Sequence, residues 1–457
     1  MQEISQNKMG VKPVGRLLLS MGFPIMLSMM VQALYNVVDS IFIARMGEDA
    51  LTAVSLAFPV QMLMISVGVG TAIGVNSLLS RRLGARRNEE ASYVAKNGLF
   101  IAFVMWIIFA ILGLTLTGTF FRLFTDDVGI ISMGSSYLVI VTTFSLGIFV
   151  QIVSERVMQG TGDTIHPMIT QGTGAIINII LDPLLIFGLL GFPRLGVAGA
   201  AIATVIGQLV AMAMALFFMV SKTKELTFKF KGFRPSKTII ADIYQVGFPS
   251  IVMQSIGSVM TVGMNTILIA FSSTAVAVFG VYFKLQSFIF MPVFGLVSAM
   301  ISIVAYNYGA RNRHRITGTI RSGAIIAFIV MGVGFLIFQL LPELLLRLFD
   351  ASPEMYGIGV GALRRISLHF PLAAIAIMLS SSFQALGKGA YSLYNSVIRQ
   401  LVVLLPSAYL LSIWFGLEAV WYAFIISEVF SLSLSIILYN KIYHAQIKDL
   451  IPLEASS

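Results

Sequence analysis

There is no cysteine in this chain, which excludes a disulfide framework, a thiol nucleophile and any cysteine-held metal site. Charge is scarce as well. Asp, Glu, Lys and Arg make up 11% of the residues, against about 25% in an ordinary globular domain, so too little polar surface remains to cover a water-soluble body. Only four histidines occur, none closely spaced, which leaves no cluster for a catalytic metal. The sequence has no Walker phosphate loop, no HExxH and no GxSxG with plausible triad partners, and every loop is too short for a nucleotide-binding domain. These absences argue against an ATP-driven pump and a membrane-embedded enzyme, and no cofactor beyond a coupling ion is expected. The polar start MQEISQNKMG is not followed by a small-residue cleavage site, so no removable signal peptide is expected.

What is present is apolar. Hydrophobic residues reach 57% of the 457, and the mean hydropathy is +0.91. A membrane span needs ~20 apolar residues at ~1.5 Å each, and polar punctuation divides this chain into twelve such runs. They cover residues 14–45, 50–79, 92–119, 128–158, 165–190, 195–220, 240–270, 275–306, 316–341, 355–386, 391–413 and 417–443. Residues 101–116 are continuously apolar rather than alternating, which excludes a β-barrel. The expected fold is an all-α polytopic membrane protein. Pro24, Pro59, Pro183, Pro249, Pro292, Pro371 and Pro406 lie inside spans, where each removes a backbone hydrogen bond and favours a kink.

The net charge of +10 would suggest nucleic acid in a soluble protein, but here the basic residues fall in alternate loops. Arg81, Arg82, Arg86 and Arg87 follow span 2; Lys222, Lys224, Lys229 and Lys231 follow span 6; and Arg311, Arg313 and Arg315 follow span 8. That bias predicts a multi-pass membrane protein with both termini cytoplasmic, with lipid and no nucleic acid as partner. The loop 221–239 is the longest polar interruption. Around it, Gly22-Phe23-Pro24 recurs as Gly247-Phe248-Pro249, and Gly84-Ala85-Arg86 as Gly309-Ala310-Arg311, both at a spacing of 225. Gln61 with Gln286 and Gly70 with Gly295 keep the same spacing. The expected organisation is an N-terminal segment 1–13, a first lobe 14–220, a basic linker 221–239, a second lobe 240–443 and a tail 444–457. Six spans per copy make two six-helix bundles running in the same direction, related by a pseudo-twofold axis normal to the membrane. Two equivalent bundles about a cleft suit a carrier working by alternating access better than a channel, and a self-contained carrier is expected to be monomeric.

Ionisable groups inside a membrane are costly and are functional candidates by default. Asn36 and Asp39 share a face of span 1, Asn178 and Asp182 a face of span 5, and Thr204 and Gln208 a face of span 6. Helical rise puts Asp39, Asp182 and Thr204 roughly 10–14 Å below the outer surface, with Tyr137 of span 4 near the same level. Carboxylate and amide oxygens at one depth suit Na⁺ or a proton. A hydrogen-bonded packing network is the bland alternative. In the second half, Lys284 and Glu428 fall at one depth, which predicts a structural ion pair. Arg399 is a further membrane charge, and His369, beside Pro371, is expected to be a packed residue. Glu155 and Arg156 are expected to reach interfacial water, and Trp414, Trp421 and Tyr422 to act as interface anchors. Gln61, Gln286, Gln254 and Met64 are candidates for the surface of a substrate cavity.

These residues carry a resemblance. The doubled six-span plan, the GFP blocks opening spans 1 and 7, ALYNVVDSIFIA in span 1, QGTGDT after span 4, NIILDPLLIFG in span 5 and GVAGAAIAT in span 6 together resemble the MATE multidrug and toxic compound extrusion family, over essentially the whole chain. The acids of the first half are most similar to its DinF-like branch. That resemblance implies a cation or proton site at Asp39, Asn178, Asp182 and Thr204, and export of cationic amphipathic drugs by H⁺ or Na⁺ antiport. The sequence departs from the NorM-like branch, with Gln254 and His369 where that branch has carboxylates. A lipid-linked oligosaccharide flippase of the wider superfamily shares the architecture. Its basic cavity and frequent extra spans fit this chain less well.

Overall fold

Apolar runs in lipid leave the backbone no water to bond with, so each run satisfies itself as a helix. The computed structural model describes residues 7–453, without the side chain of Asn36. Ten helices are long and apolar enough to cross a membrane, or up to twelve when each of two bent pairs is one span. Spans 1 to 3 are Val14–Ala44, Glu48–Gly84 and Asn88–Arg122; span 4 is the bent pair Val128–Thr143 with Leu146–Gly160; spans 5 and 6 are Ile165–Phe187 and Val197–Lys222. Spans 7 to 9 are Lys237–Ile269, Ser273–Gly309 and Arg313–Leu340; span 10 is the bent pair Pro353–Ser367 with Phe370–Ala385; spans 11 and 12 are Gly389–Phe415 and Leu417–Ile447. There is no strand among the described residues. The expected limits hold to within a few residues, and the long helices carry polar ends such as Arg81 and Arg82 beyond their apolar centres. Asp127, Ser272, Asn312 and Ser352 cap helix starts by accepting from the backbone three residues on.

Proline explains part of the bending. Pro371 stands just past a 45° break in span 10, and the π-helical turn Ile398–Leu404 of span 11 precedes Pro406. Pro24, Pro59, Pro183, Pro249 and Pro292 instead lie inside unbroken helices. Span 4 bends by 44° without proline. There Gly147 brings its backbone so close to span 6 that a Cβ would sit 3.1 Å from Gln208 and Leu209 main-chain atoms. Packing produces this break, and no residue type announces it.

The chain forms two compact units, Leu27–Gly247, and Met1–Met26 with Phe248–Ser457. Their boundaries fall inside spans 1 and 7, beside the two Gly-Phe-Pro blocks, rather than in the basic linker. Each unit contains a close helix crossing at a glycine. In the first, Gly247 lies against Gly70 and Thr71, and a Cβ on Gly74 would meet the Ile243 carbonyl at 2.2 Å. In the second, a Cβ on Gly22 would meet Leu296 at 3.2 Å, and one on Gly295 the Met26 backbone at 2.7 Å. Gly22 and Gly247, and Gly70 and Gly295, are the residues paired by the 225-residue repeat. Small residues let backbones approach where lipid offers no hydrophobic drive for association.

Candidate cation site

Spans 5 and 6 are drawn together by glycine on both sides of one polar patch. A Cβ on Gly207 would be 2.7 Å from the Gly174 carbonyl, and one on Gly199 would be 2.5 Å from that of Leu185. Between these two contacts, Asn178 donates from Nδ2 to Thr204 Oγ1 at 3.2 Å and to Asp182 Oδ1 at 3.4 Å. Asn178, Asp182 and Thr204 are 2%, 0% and 6% exposed, so this network has no help from bulk water. Pro183, inside the helix, offers no N–H to the Ile179 carbonyl, which frees one more acceptor in that turn.

Span 1 supplies the opposing acid. The Asp39 and Asp182 carboxyls are within hydrogen-bond reach of one another. Two carboxylates without a hydrogen cannot bond, so the pair requires a shared proton or a cation. Four buried oxygens in the same unit meet no donor: Asp39 Oδ1, Asn178 Oδ1, Asp182 Oδ2 and Gln208 Oε1. Among the described residues, no Lys or Arg forms an ion pair with either acid. A surplus of acceptors with no cationic side chain is the donor set of a hard cation or of a proton.

Sequence spacing therefore brings together Asp39, Asn178, Asp182 and Thr204. Tyr137 is 3% exposed, and its hydroxyl accepts from Gln61 Nε2 at 2.9 Å, which links one cavity candidate to the neighbourhood of the acids. The Asn36 side chain lies outside the described residues. Tyr35, one turn before Asp39, hydrogen-bonds to Thr204 and was not anticipated. Its signal was the four-residue spacing to Asp39, obscured because an aromatic in an apolar helix normally packs. Of the other cavity candidates, Met64 is 1% exposed and closed off inside the protein, while Gln286 is half-buried and Gln254 exposed.

The second unit corrects one expectation. Glu428, 2% exposed, pairs with Arg399 at 3.3 Å and not with Lys284. Lys284 is exposed and carries its ammonium over the Phe349 ring, 5.9 Å from the centroid. Its long apolar stem lets it run toward the end of the bundle instead of burying charge. Arg399 faces span 12 from the π-helical turn, one turn beyond Asn395, which donates to Ser431 at 3.1 Å. His369 is packed: it lies at the span 10 break, its Nδ1 2.6 Å from the Ile366 carbonyl and its ring among Phe290, Phe370 and Phe424. Two smaller expectations also change. Trp421 is 1% exposed rather than an interface anchor, and Glu155 is 8% exposed rather than in interfacial water.

The class that this fold and site define is a multi-pass α-helical membrane protein with an acid pair between its helices and, among the described residues, no paired cation beside it. The chain belongs to the MatE family, whose pattern matches residues 24–184 and again 249–410. The two matches start 225 residues apart, the spacing of the glycine repeat. A Thermotoga maritima protein described as a probable multidrug resistance protein NorM is 27% identical, over 94% of this chain and 93% of its own length. A Shewanella oneidensis protein described as an FAD transporter is 26% identical, over 87% and 88%. A solved outward-facing structure of a multidrug resistance MATE family transporter of the MOP superfamily superposes with a TM-score of 0.91, at 27% identity over 97% of this chain and 99% of that one.

Proposed function

We propose that this chain is a secondary active multidrug exporter that moves cationic amphipathic compounds outward in exchange for H⁺ or Na⁺. Asp39 and Asp182 hold the coupling ion, and Asn178 and Thr204 supply neutral oxygens. The observation that carries the reading is the set of buried oxygens at Asp39, Asn178 and Asp182 that meet no donor. Support also comes from relatives described as multidrug resistance and export proteins. The two lobes, 14–220 and 240–443, would be related by rotation about the membrane normal, with basic loops and both termini in the cytoplasm of a prokaryotic cell. The carrier acts as a monomer, and its substrate surface includes Gln61, Gln286 and Gln254. Acids rather than basic residues in the first lobe disfavour a pyrophosphate-linked lipid as cargo.

Export follows from linkage. Ion and substrate that each weaken the other's binding exchange across the membrane, and the coupling must be equal in both directions. The test is ethidium efflux from proteoliposomes with pH and Na⁺ gradients imposed separately. At least one gradient should drive efflux, and Asp39→Asn should abolish the response to it. Efflux indifferent to both gradients would overturn the reading. FAD offered to the same vesicles checks the substrate class, and its transport in place of ethidium would overturn the cationic assignment.

A further inference from the structure

Glu155 takes no part in the cation site, yet it is 8% exposed. Its Oε1 lies 3.0 Å from Gln151 Nε2 and 2.8 Å from Thr170 Oγ1. That same Thr170 oxygen lies 2.9 Å from the Pro167 carbonyl, and Thr170 is 0% exposed. A hydroxyl carries one hydrogen and a carbonyl none. Thr170 has one hydrogen for two acceptors, so both contacts are full bonds only when the Glu155 carboxyl brings a second hydrogen. Thr170 then donates to the carbonyl three residues before it, a routine bond for threonine in a helix, and Glu155 donates to Thr170. With Glu155 ionised, the single Thr170 hydrogen must be divided between the Glu155 and Pro167 oxygens, a weaker arrangement.

The surroundings agree. Arg156, the neighbouring cation, donates to Gln159 Oε1 at 3.0 Å and makes no ion pair with Glu155. Among the described residues, it is also the one charged group whose field reaches Glu155. On span 5, His166 is engaged by Asp163 at 2.5 Å. Where glycines bring spans 2, 3 and 6 against span 4, the neighbours are uncharged: Leu79 and Ser80 at Gly160, Val153 at Gly98, and Gln208 at Gly147. A full charge would therefore be buried without a direct ion-pair partner among the described residues, a cost the neutral acid avoids. Thr170 and Asp182 are twelve residues apart on span 5, roughly 18 Å of helix. This acid thus lies at the opposite end of the span from the Asp39–Asp182 pair.

We propose that Glu155 is a second proton-binding site of the unit Leu27–Gly247, holding its proton while spans 4 and 5 pack as they do here and exchanging it with water at their nearer end. Uptake and release make and break one O–H bond, with water as the other partner. The assignment is independent of which ion the Asp39–Asp182 pair takes.

The experiment is infrared spectroscopy of the purified full chain, in an Asp39→Asn, Asp182→Asn background that removes overlapping signals. At neutral pH the carbonyl stretch of one protonated carboxyl should be present and should vanish in Glu155→Gln, whose amide keeps the shape and the donor. Thr170→Val should shift that band rather than remove it, because the acid loses its acceptor. Raising the pH should abolish the band reversibly. A protonated-carboxyl region unaffected by either substitution, or a Glu155 band that does not respond to pH, would overturn the proposal.

Discussion

Asn178 gives one amide hydrogen to Asp182 Oδ1 at 3.4 Å, while its own Oδ1 meets no donor. The amide's donors go to Asp182 and Thr204, and this fixes which way the side chain faces. Its oxygen, like one oxygen of each acid, is left without a donor. In the proposed cation site, an asparagine held in this way would be a ligand whose orientation is set by its bonds to Asp182 and Thr204.

Each acid should therefore be separable from folding. Asp39→Asn and Asp182→Asn remove charge but keep shape, so both proteins should insert and fold, while gradient-driven ethidium efflux falls about tenfold or more, within the usual range of coupling free energies. Thr204→Ala removes one neutral oxygen and should cost less, about two- to fivefold, as for a single uncharged hydrogen bond. Full export by the double variant Asp39→Asn, Asp182→Asn would place the coupling ion elsewhere, starting from Glu428.

The Glu428–Arg399 pair should behave differently. Glu428→Gln strands a guanidinium that is mostly buried, its side chain 27% exposed, and should destabilise by about 2–3 kcal/mol, below the full figure for a wholly buried pair. Arg399→Met in the same protein should recover most of that loss, whereas Lys284→Met alone should be nearly neutral. Thermal unfolding followed by tryptophan fluorescence reads all three variants. Rescue by Lys284→Met in place of Arg399→Met would restore the pairing first expected from depth.

That misassignment shows where sequence stops. Depth along a helix follows from a fixed rise per residue, but rise says nothing about rotation, so depth alone could not choose between Lys284 and Arg399 as the partner of Glu428. Arg399 faces span 12 through a π-helical turn that no residue pattern marks. Asp39, Asn178, Asp182 and Thr204 were legible because spacings of four fix a shared helix face, and because an acid in an apolar run has few bland explanations. The span limits and the repeat were legible for similar reasons, being written in hydropathy and in a constant spacing. Tyr35 and the bend between Thr143 and Leu146 were not, since each depends on what a neighbouring helix presents.

The N-terminal helix Lys8–Val11 offers a local test of a polar clamp. Arg315 Nη2 donates to the carbonyls of Met9 and Lys12 at 2.9 and 2.8 Å, and Asn307 Nδ2 donates to Met9 at 3.0 Å. Bonds from a charged donor contribute about 1.5–3 kcal/mol. Arg315→Ala should therefore raise amide hydrogen exchange in residues 8–12 by at least about tenfold, with the spans unaffected. Unchanged exchange there would mean that burial of Met9, 0% exposed, suffices to hold the helix.

The glycine crossings provide the sharpest contrast between structure and ordinary propensity. In an exposed helix, replacing glycine by alanine stabilises by roughly 0.5–1 kcal/mol, because alanine loses less backbone freedom. Gly118 of span 3 and Gly332 of span 9 have nothing within 4 Å of a built Cβ, so alanine there should be neutral or mildly stabilising. At Gly74 the new methyl would stand 2.2 Å from the Ile243 carbonyl oxygen and 3.0 Å from the Gly247 nitrogen. At Gly295 it would stand 2.7 Å from both the Cα and the nitrogen of Met26. These neighbours are main-chain atoms, which cannot turn aside as a side chain would, so spans 7 and 2, or 1 and 8, must be pushed apart. Overpacking of this kind costs about 1–3 kcal/mol at each position. Thermal unfolding of Gly74→Ala, Gly295→Ala, Gly118→Ala and Gly332→Ala in one detergent measures the difference directly. Equal midpoints across all four variants would mean that the crossings are looser than the 2.2 and 2.7 Å approaches require.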